Sequence, residues 1–216
     1  MRIVTINEMK EIERRADKSG LSYFQMMENA GTEAAKIIFN NTKDFETKIV
    51  LICAGKGNNG GDGFVAAKRI KEFGGHPLIL LADGSPVTAD AKKNFDIALS
   101  EGIEVIEFDS SMSKSLILGS DIIVDAVYGT GFHGELKPQI KELFDIINGS
   151  DAVKYAIDIP SGINADSCTV ADGTFKADYT VAIDSMKNAH ISSDTFLYCG
   201  RVVCVDIGIP EECHNL

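Results

Sequence analysis

A glycine-rich break between an apolar run and a helical pattern constrains this chain more than any other feature. The apolar run Ile49–Ala54 predicts a buried parallel strand, and four glycines follow within residues 57–63. A helical pattern then starts at Phe64. Glycine is expected in such a turn because a Cβ would block both positive φ values and the approach of a ligand. A strand, a glycine-rich turn and a helix in this order predict an anion site made of backbone N–H groups.

Apolar runs and helical patterns alternate along most of the remaining chain. This alternation predicts right-handed βαβ units and a Rossmann-like α/β fold, with a doubly wound, mostly parallel sheet flanked by helices. Further strands are expected at residues 77–82, 103–108, 121–127, 153–159, 177–183 and 201–205, and helices at residues 64–73, 90–99, 113–118 and 138–147. A short helix is also expected near Lys187, and residues 1–216 are expected to form a single domain.

Two helices are expected before the sheet, within residues 5–40. In the first, Met9, Ile12 and Ala16 recur at helical spacing, and Glu13 is expected on the opposite, polar face. The second covers residues 23–39 and contains Gly31 in its interior. An interior glycine costs roughly 1 kcal/mol relative to alanine. Gly31 therefore indicates either a close contact with another element or ordinary helix–helix packing.

Composition and charge exclude several classes of function. The net charge is −11 and no run of Lys or Arg forms a basic face, so nucleic acid is not an expected partner. The sequence has neither an apolar stretch long enough to span a membrane nor the apolar core of a signal peptide. Its five cysteines include no C-x-x-C pair. This pattern favours free thiols in a reducing cytoplasm and argues against disulfides and a structural zinc site.

Polar residues follow three of the predicted strands, at the edge where open parallel sheets bind ligands. Asn59 and Asp62 lie in the glycine-rich turn, Asp125 closes a second strand, and Asp158 closes a third, shortly before Ser161. Burial at a strand end would raise the pKa of either strand-closing carboxyl toward a useful acid–base range. The alternative is a helix cap or a turn, which Asp commonly forms.

Several of these side chains have more than one plausible chemistry. Asn59, Asp125 and Ser161 offer one carboxylate and two neutral oxygens, a set that suits a weakly held hard cation and not zinc. Ser161 lacks the G-x-S-x-G pattern of a nucleophile. Lys187 is either a solvated surface residue or a functional one. His190 lies beyond Lys187 and would titrate near neutral pH, although the sequence suggests no partner for it.

The spacing of Gly55, Gly57 and Gly60 also fits the dinucleotide fingerprint, and Asp83 lies 23 residues beyond Gly60 at the end of the next strand. In that fingerprint an acidic residue near this position binds a ribose hydroxyl. An NAD(P)-dependent oxidoreductase is therefore one interpretation. A nucleotide-kinase P-loop is excluded, because no G-x-x-x-x-G-K-[ST] segment occurs.

Five blocks of sequence together resemble the NAD(P)H-hydrate epimerases. They are MMENAG at residues 26–31, GKGNNGGDGFVAA at 55–67, DAVYGTG at 125–131, DIPSGINAD at 158–166 and DIGIP at 206–210. In this family, water added to NADH or NADPH gives a nicotinamide hydroxylated at C6, in R and S forms. The epimerase interconverts the two forms, so that a separate ATP- or ADP-dependent dehydratase selective for S can restore the cofactor.

The resemblance implies a role for each matching residue. It implies that Asn59, Asp125 and Ser161 bind potassium, and we predict that Asp158 is the acid–base group, with Lys187 tuning its charge or positioning the hydroxyl. The residues implied to contact the hydrated dinucleotide are Asn58, Asn59, Gly60, Gly61, Asp62, Gly129, Thr130, Gly131, Phe132, His133, Gly134, Glu135 and Asp158.

Two other classes of function remain as alternatives, and the oligomeric state is a separate question. One class is the ordinary oxidoreductase described above. The other is a non-catalytic nucleotide- or protein-binding module, because a fold does not determine an activity. A homodimer is possible, with the first helices and their Met26 and Met27 as the candidate face.

Overall fold

A seven-stranded parallel sheet with helices on both faces organises the structure. The computed structural model describes residues 2–216, apart from the side chains at positions 111 and 112. In chain order the elements are β1 (Ile3–Val4), α1 (Ile6–Lys18), α2 (Tyr23–Asn40), β2 (Ile49–Ala54), α3 (Asn58–Glu72), β3 (His76–Leu81), α4 (Ala89–Ser100), β4 (Glu104–Glu107), α5 (Ser110–Gly119), β5 (Ile122–Ala126), α6 (Pro138–Asn148), β6 (Val153–Ile157), β7 (Tyr179–Ile183), β8 (Met186–Lys187), α7 (Phe196–Cys199) and β9 (Arg201–Val205).

The strand order in the large sheet is β4-β3-β2-β5-β6-β7-β9, and every neighbouring pair is parallel. The predicted Rossmann-like sheet is therefore confirmed. Strands β3 and β4 follow one another on one side of β2, and β5 then pairs with the other side of β2. This reversal creates a topological switch point between β2 and β5, where open α/β sheets leave a crevice for a ligand.

The two faces of the sheet bury separate apolar cores, because alternate side chains of a strand point to opposite faces. From β2, Val50 and Ile52 pack into the core shared with α1 to α4. Leu51 and Cys53 pack into the core on the other face, with α5 and α6. Within residues 2–216, no helix combines the length and the apolar character needed to cross a membrane.

The glycine-rich turn differs from the expectation in two ways. Helix α3 begins at Asn58 instead of Phe64, so most of these glycines lie inside the helix, and none of the glycines between residues 55 and 63 has a positive φ. They are needed for close packing instead. A Cβ on Gly60 would lie 1.9 Å from the Gly55 carbonyl oxygen, and one on Gly63 would lie 2.6 Å from the Ala126 Cβ.

Gly31 has the close contact that its position in a helix indicated. A Cβ there would lie 2.4 Å from the backbone oxygen of Asp62 and 2.5 Å from the Cβ of Val65. Helices α2 and α3 therefore approach each other with no room for a side chain at this crossing. The close approach holds the first turns of α3, which bear Asn59 and Asp62, against the N-terminal helices.

Substituting Gly63 by alanine is expected to lower the free energy of unfolding by about 1–3 kcal/mol, because the added methyl group overpacks the contact of α3 with β5. Urea denaturation measures the change. Gly119→Ala is the matched control, since Gly119 ends α5 and nothing lies within 4 Å of a Cβ there. Equal stability of the two variants would contradict the close-packing explanation.

A second, two-stranded sheet was not predicted. Strand β1 pairs in parallel with β8, with Ile3 opposite Met186 and Val4 opposite Lys187. Strands of two residues are too short to show a periodic pattern, so no sequence pattern indicates this pairing. It brings the start of α1 next to Lys187. The expected short helix near Lys187 is a 3₁₀ turn, Asn188–His190, and apart from α3 the predicted element ends lie within a few residues of the observed ones.

Candidate active site

A cleft of about 560 Å³ opens at the carboxyl edge of the sheet, over the switch point between β2 and β5. The ends of β2, β5 and β6 contribute to its lining, together with α1 and α2. The predicted site residues that line it are Asn58, Asn59, Asp62, Gly129, Thr130, Gly131, Phe132, Asp158 and Lys187. The structure therefore brings together residues that are more than 120 positions apart in the chain.

Some residues of the predicted dinucleotide site lie outside the lining of the cleft. Gly60 packs against Gly55, and Gly61 packs against Met27. His133, Gly134 and Glu135 are exposed, and the Nδ1 atom of His133 lies 3.0 Å from the carbonyl oxygen of Gly131. In this structure the two glycines serve helix packing, and the three exposed residues lie beyond the cleft.

Asp125 and Ser161 form a buried hydrogen-bonded pair beneath the cleft. The Ser161 hydroxyl donates to Asp125 Oδ1 at 2.7 Å, and the Ser161 backbone N–H donates to Oδ2 at 2.7 Å. The Val127 N–H also donates to Oδ1, at 3.1 Å. Burial raises the pKa of the Asp125 carboxyl to about 6, although these hydrogen bonds oppose the shift. No histidine in the described part of the chain contacts the Ser161 hydroxyl, and the carboxylate that accepts from it is engaged by two backbone N–H groups, so Ser161 lacks the Ser–His arrangement of a nucleophile.

Asn59 lies in the first turn of α3, and its side-chain amide is close to Gly129 in the loop after β5. Its Nδ2 atom is buried and has no hydrogen-bond partner among the described residues. A Cβ on Gly129 would lie 3.5 Å from Asn59 Oδ1, and the neighbouring Tyr128 N–H donates to the Ser161 hydroxyl at 2.8 Å. Asn59 and the Asp125–Ser161 pair therefore both lie next to the loop after β5.

Asp158 and Lys187 form an ion pair at the base of the cleft. Lys187 Nζ donates to Asp158 Oδ1 at 2.7 Å and to the Ile183 carbonyl at 2.8 Å. The Lys187 side chain is 2% exposed and that of Asp158 is 13% exposed, so the lysine is not a solvated surface residue. Asp158 has a φ of 66°, a left-handed conformation that costs a residue with a side chain roughly 1–3 kcal/mol. The surrounding contacts hold this strained position.

His190 has the partners that the sequence could not identify. Its Nδ1 accepts a hydrogen bond from the Lys187 N–H at 2.9 Å, which leaves the proton on Nε2. Nε2 donates to the Asp158 carbonyl at 2.6 Å. Burial lowers the pKa of His190 to about 4, so the ring is neutral at pH 7. A neutral His190 thereby joins the backbones of Asp158 and Lys187 and holds the ion pair in position.

Two further carboxyls share the cleft with Asp158. Burial and the negative charges of Asp158 and Glu13 raise the pKa of Asp62 well above its usual range. Burial, followed by the charge of Asp158, raises the pKa of Glu13 to about 7. Glu13 was expected on the polar face of α1, which is wrong, because it lines the cleft. Its spacing of four residues from Met9, which also lines the cleft, was the available indication.

Asp83 does not occupy the ribose-binding role that the dinucleotide fingerprint would give it. Lys137 Nζ donates to both of its carboxylate oxygens, at 2.6 and 2.7 Å, and Lys56 Nζ lies 3.7 Å from Oδ2. The Asp83 side chain is 5% exposed. Because the carboxylate is buried and paired, the structure does not support the oxidoreductase interpretation that depended on it.

Comparison with known sequences identifies relatives along nearly the whole chain. The family described as YjeF-related protein N-terminus matches residues 24–189. An NAD(P)H-hydrate epimerase of Elusimicrobium minutum (strain Pei191) is 35% identical over an alignment 221 residues long, which covers 98% of this chain and 98% of that protein. The bifunctional NAD(P)H-hydrate repair enzyme Nnr of Archaeoglobus fulgidus is 36% identical over 216 residues, which span 100% of this chain and 44% of that enzyme.

A solved structure agrees with the fold. The crystal structure of the yeast protein ynu0 superposes with a TM-score of 0.78 at 22% sequence identity, over 95% of this chain and 88% of that chain. At this identity the likeness extends to the fold alone. The shared architecture is the helix-flanked parallel sheet described above.

Proposed function

Because the chain belongs to the family described as YjeF-related protein N-terminus, and is 35% identical to an NAD(P)H-hydrate epimerase, we propose that it interconverts the R and S forms of hydrated NADH and NADPH. The observation that supports this most is the Asp158–Lys187 ion pair, buried at the ligand-binding edge of the sheet. In this proposal the pair supplies one acid–base group to the cleft in which the dinucleotide would lie.

The proposed reaction needs proton transfer but no redox step. The hydroxyl-bearing carbon C6 is bonded to the ring nitrogen, so loss of the hydroxyl gives a cation that the nitrogen lone pair stabilises. Return of water on the other face inverts the centre. Asp158 exchanges the proton with the hydroxyl, and Lys187 holds the carboxylate in position. General acid–base assistance of this kind typically raises the reaction rate by about 10²–10⁴-fold.

The dinucleotide would lie along the cleft, against Asn58, Asn59, Asp62 and the loop at residues 129–132. The support for this placement is the lining of the cleft by these residues and the lack of a side chain at Gly129, where a Cβ would lie 3.4 Å from Asp158 Oδ2. The N-terminus of α3 also faces the cleft, where its free N–H groups suit an anion. Contacts from Gly60, Gly61, His133, Gly134 and Glu135 remain predictions.

Potassium is the cofactor in this proposal, held by Asn59, Asp125 and Ser161. The donor set fits, because the Asp125 carboxylate is fully buried, accepts hydrogen bonds only from neutral donors and has no ion-pair partner among the described residues. Asn59 would contribute its side-chain oxygen Oδ1, since the Nδ2 atom is a donor and does not bind a cation. A bound alkali ion would supply a fixed positive charge that offsets the buried carboxylate.

Exchange of K⁺ for tetramethylammonium is expected to lower both epimerisation and thermal stability. An ion bound to the native state at 100 times its Kd stabilises the fold by about 2.7 kcal/mol, which is a shift of several degrees in Tm. Differential scanning fluorimetry across a K⁺ titration measures it without any assay of activity. Asp125→Asn removes the charge that the ion offsets, so its Tm should not respond to K⁺. An unchanged Tm of the wild-type protein in both salts would contradict the potassium site.

The direct test of the function is chromatographic separation of the R and S hydrates of NADH and of NADPH, with and without the protein. Equilibration faster than the protein-free rate supports the proposal. Dinucleotide binding without faster equilibration would favour a non-catalytic binding module. A change of absorbance at 340 nm with NAD and candidate alcohols would favour an oxidoreductase.

The partners in this proposal are the hydrated dinucleotide and a separate ATP- or ADP-dependent dehydratase. The name of the bifunctional repair enzyme of Archaeoglobus fulgidus, of which this chain matches 44%, supports functional coupling to a second activity. A cytoplasmic location and a single domain over residues 1–216 remain part of the proposal. Pairing of β1 near the start of the chain with β8, and contact of Arg15 with the backbone of Asn215, support the single domain.

A homodimer remains a prediction. Met26 and Met27 are 4% and 6% exposed and line the cleft, so their side chains are buried within one chain and do not contribute to a dimer surface. The remainder of the first helices stays the predicted dimer face. Light scattering after gel filtration tests the oligomeric state itself.

A further inference from the structure

Glu13 is a carboxyl of the cleft for which the proposed reaction has so far provided no role. It comes from helix α1, whereas Asp158 comes from the loop after β6 at the edge of the sheet. No hydrogen bond or ion pair within residues 2–216 engages the Glu13 carboxylate. Its side chain therefore faces the cleft without being committed to another group of the protein.

Burial and the charges around Glu13 raise its pKa to about 7, so its protonated and ionised forms are similarly populated at neutral pH. Burial is the largest cause of its raised pKa, the negative charges of Asp158 and Asp184 act in the same direction, and Lys187 and Lys10 oppose them. The titratable and charged groups that act on Glu13 are Lys10, Tyr23, Asp62, Asp158, Asp184 and Lys187. With a pKa of about 7, Glu13 is able to give or take a proton at neutral pH.

An acid–base group on one face of the ring does not by itself assist inversion at C6. Loss of the hydroxyl leaves a planar ring, and inversion requires water to return on the face opposite the departure. A group at one face assists departure and return on that face, which exchanges the oxygen with solvent but leaves the configuration unchanged. For a ring that keeps one orientation in the cleft, assisted inversion therefore needs a second proton-transfer group at the other face.

We propose that Glu13 is this second catalytic residue, placed by α1 at the face of the ring opposite the Asp158–Lys187 pair, an inference that rests on the function proposed above. The two carboxyls enter the cleft from different elements, one from the N-terminal helices and one from the sheet edge. A ring lying between these elements would present one face to each carboxyl.

The proton and electron changes balance across the two faces. At one face a protonated carboxyl gives its proton to the hydroxyl, and the C6–O bond breaks with its electron pair on the oxygen, which leaves as water. The lone pair of the ring nitrogen forms the C6–N double bond. At the other face water adds to C6, its proton passes to the second carboxylate, and the π electrons return to nitrogen. The reverse reaction uses the same two groups with their roles exchanged.

The test follows inversion and oxygen exchange separately in Glu13→Gln. Hydrated NADH labelled with ¹⁸O at the C6 hydroxyl is incubated with the protein in unlabelled water, and mass spectrometry of the separated epimers gives both rates. We expect inversion to fall by about 10²-fold, while ¹⁸O loss from the epimer whose hydroxyl faces Asp158 falls less than tenfold. Glu13→Asp should recover part of the inversion rate.

Glu11→Gln is the matched control, since Glu11 lies on the same helix but pairs with Arg14 and Arg15 outside the cleft. Its rates of inversion and exchange should equal those of the wild-type protein. Inversion by Glu13→Gln within twofold of the wild type would overturn the proposal. Inversion and exchange that fall by the same factor would also overturn it, since they indicate a merely structural role. A wild-type protein that accelerates neither rate would instead overturn the proposed function.

Discussion

Replacing Asp158 by asparagine is expected to slow epimerisation by about 10²–10⁴-fold, since the variant keeps the shape of the side chain but loses the proton-transfer group. Asparagine also tolerates the left-handed conformation that Asp158 adopts, with its φ of 66°. The backbone hydrogen bonds of residue 158 to Val181 and His190 do not depend on the carboxylate. The backbone conformation should therefore survive, although the buried Lys187 loses its charged partner and stability falls. The loss of activity should appear in kcat, measured on the folded variant by separation of the two epimers.

The chain offers a closely matched control for this substitution. Asp44 also has a left-handed φ, of 50°, but is exposed and far in sequence from the cleft. Asp44→Asn makes the same chemical change at the same backbone conformation and should keep the wild-type rate. Near-normal epimerisation by a folded Asp158→Asn variant would remove Asp158 from the mechanism.

Replacing Lys187 by methionine is expected to lower the free energy of unfolding by about 3–5 kcal/mol, because it leaves the Asp158 carboxylate buried without a positive partner. Methionine retains most of the length of the side chain, so the loss reports the charge more than the volume. Epimerisation should fall as well, by about 10²-fold, since the acid–base group is no longer held in position. Urea denaturation and the epimer assay measure the two effects separately.

Two variants separate the role of Lys187 in stability from its role in the reaction. The double variant Asp158→Asn, Lys187→Met removes both charges, so it should recover part of the lost stability but remain inactive. Lys68→Met breaks a different buried pair, in which Lys68 donates to Glu28 at 2.7 Å and to Asn94 at 2.9 Å. It should lose comparable stability and keep its activity while folded. A Lys187→Met protein as stable as the wild type would show that the pair is not compensating a buried charge.

The positions of the strands and most helices followed from the sequence, because a buried parallel strand must be apolar on both faces and its flanking helices on one. The start of α3 did not follow. The low helix propensity of glycine predicts a turn at these positions. At Gly60 and Gly63, however, the close contacts with Gly55 and Ala126 outweigh that propensity. Helix α3 approaches β5 and α2 this closely because Gly63 and Gly31 have no side chains at the two contacts.

The sequence by itself determined which chemistry the sheet edge offers: the order of strands and helices brings Asn59, Asp125 and Asp158 to one end of parallel strands, since every such strand ends at the same edge. Only the tertiary structure decided how these groups are charged and paired. The burial of Lys187 against Asp158, the neutral His190 between their backbones, and the raised pKa of Glu13 all depend on elements distant in the chain. Desolvation and charge–charge interactions act through space, so no local pattern of residues records them.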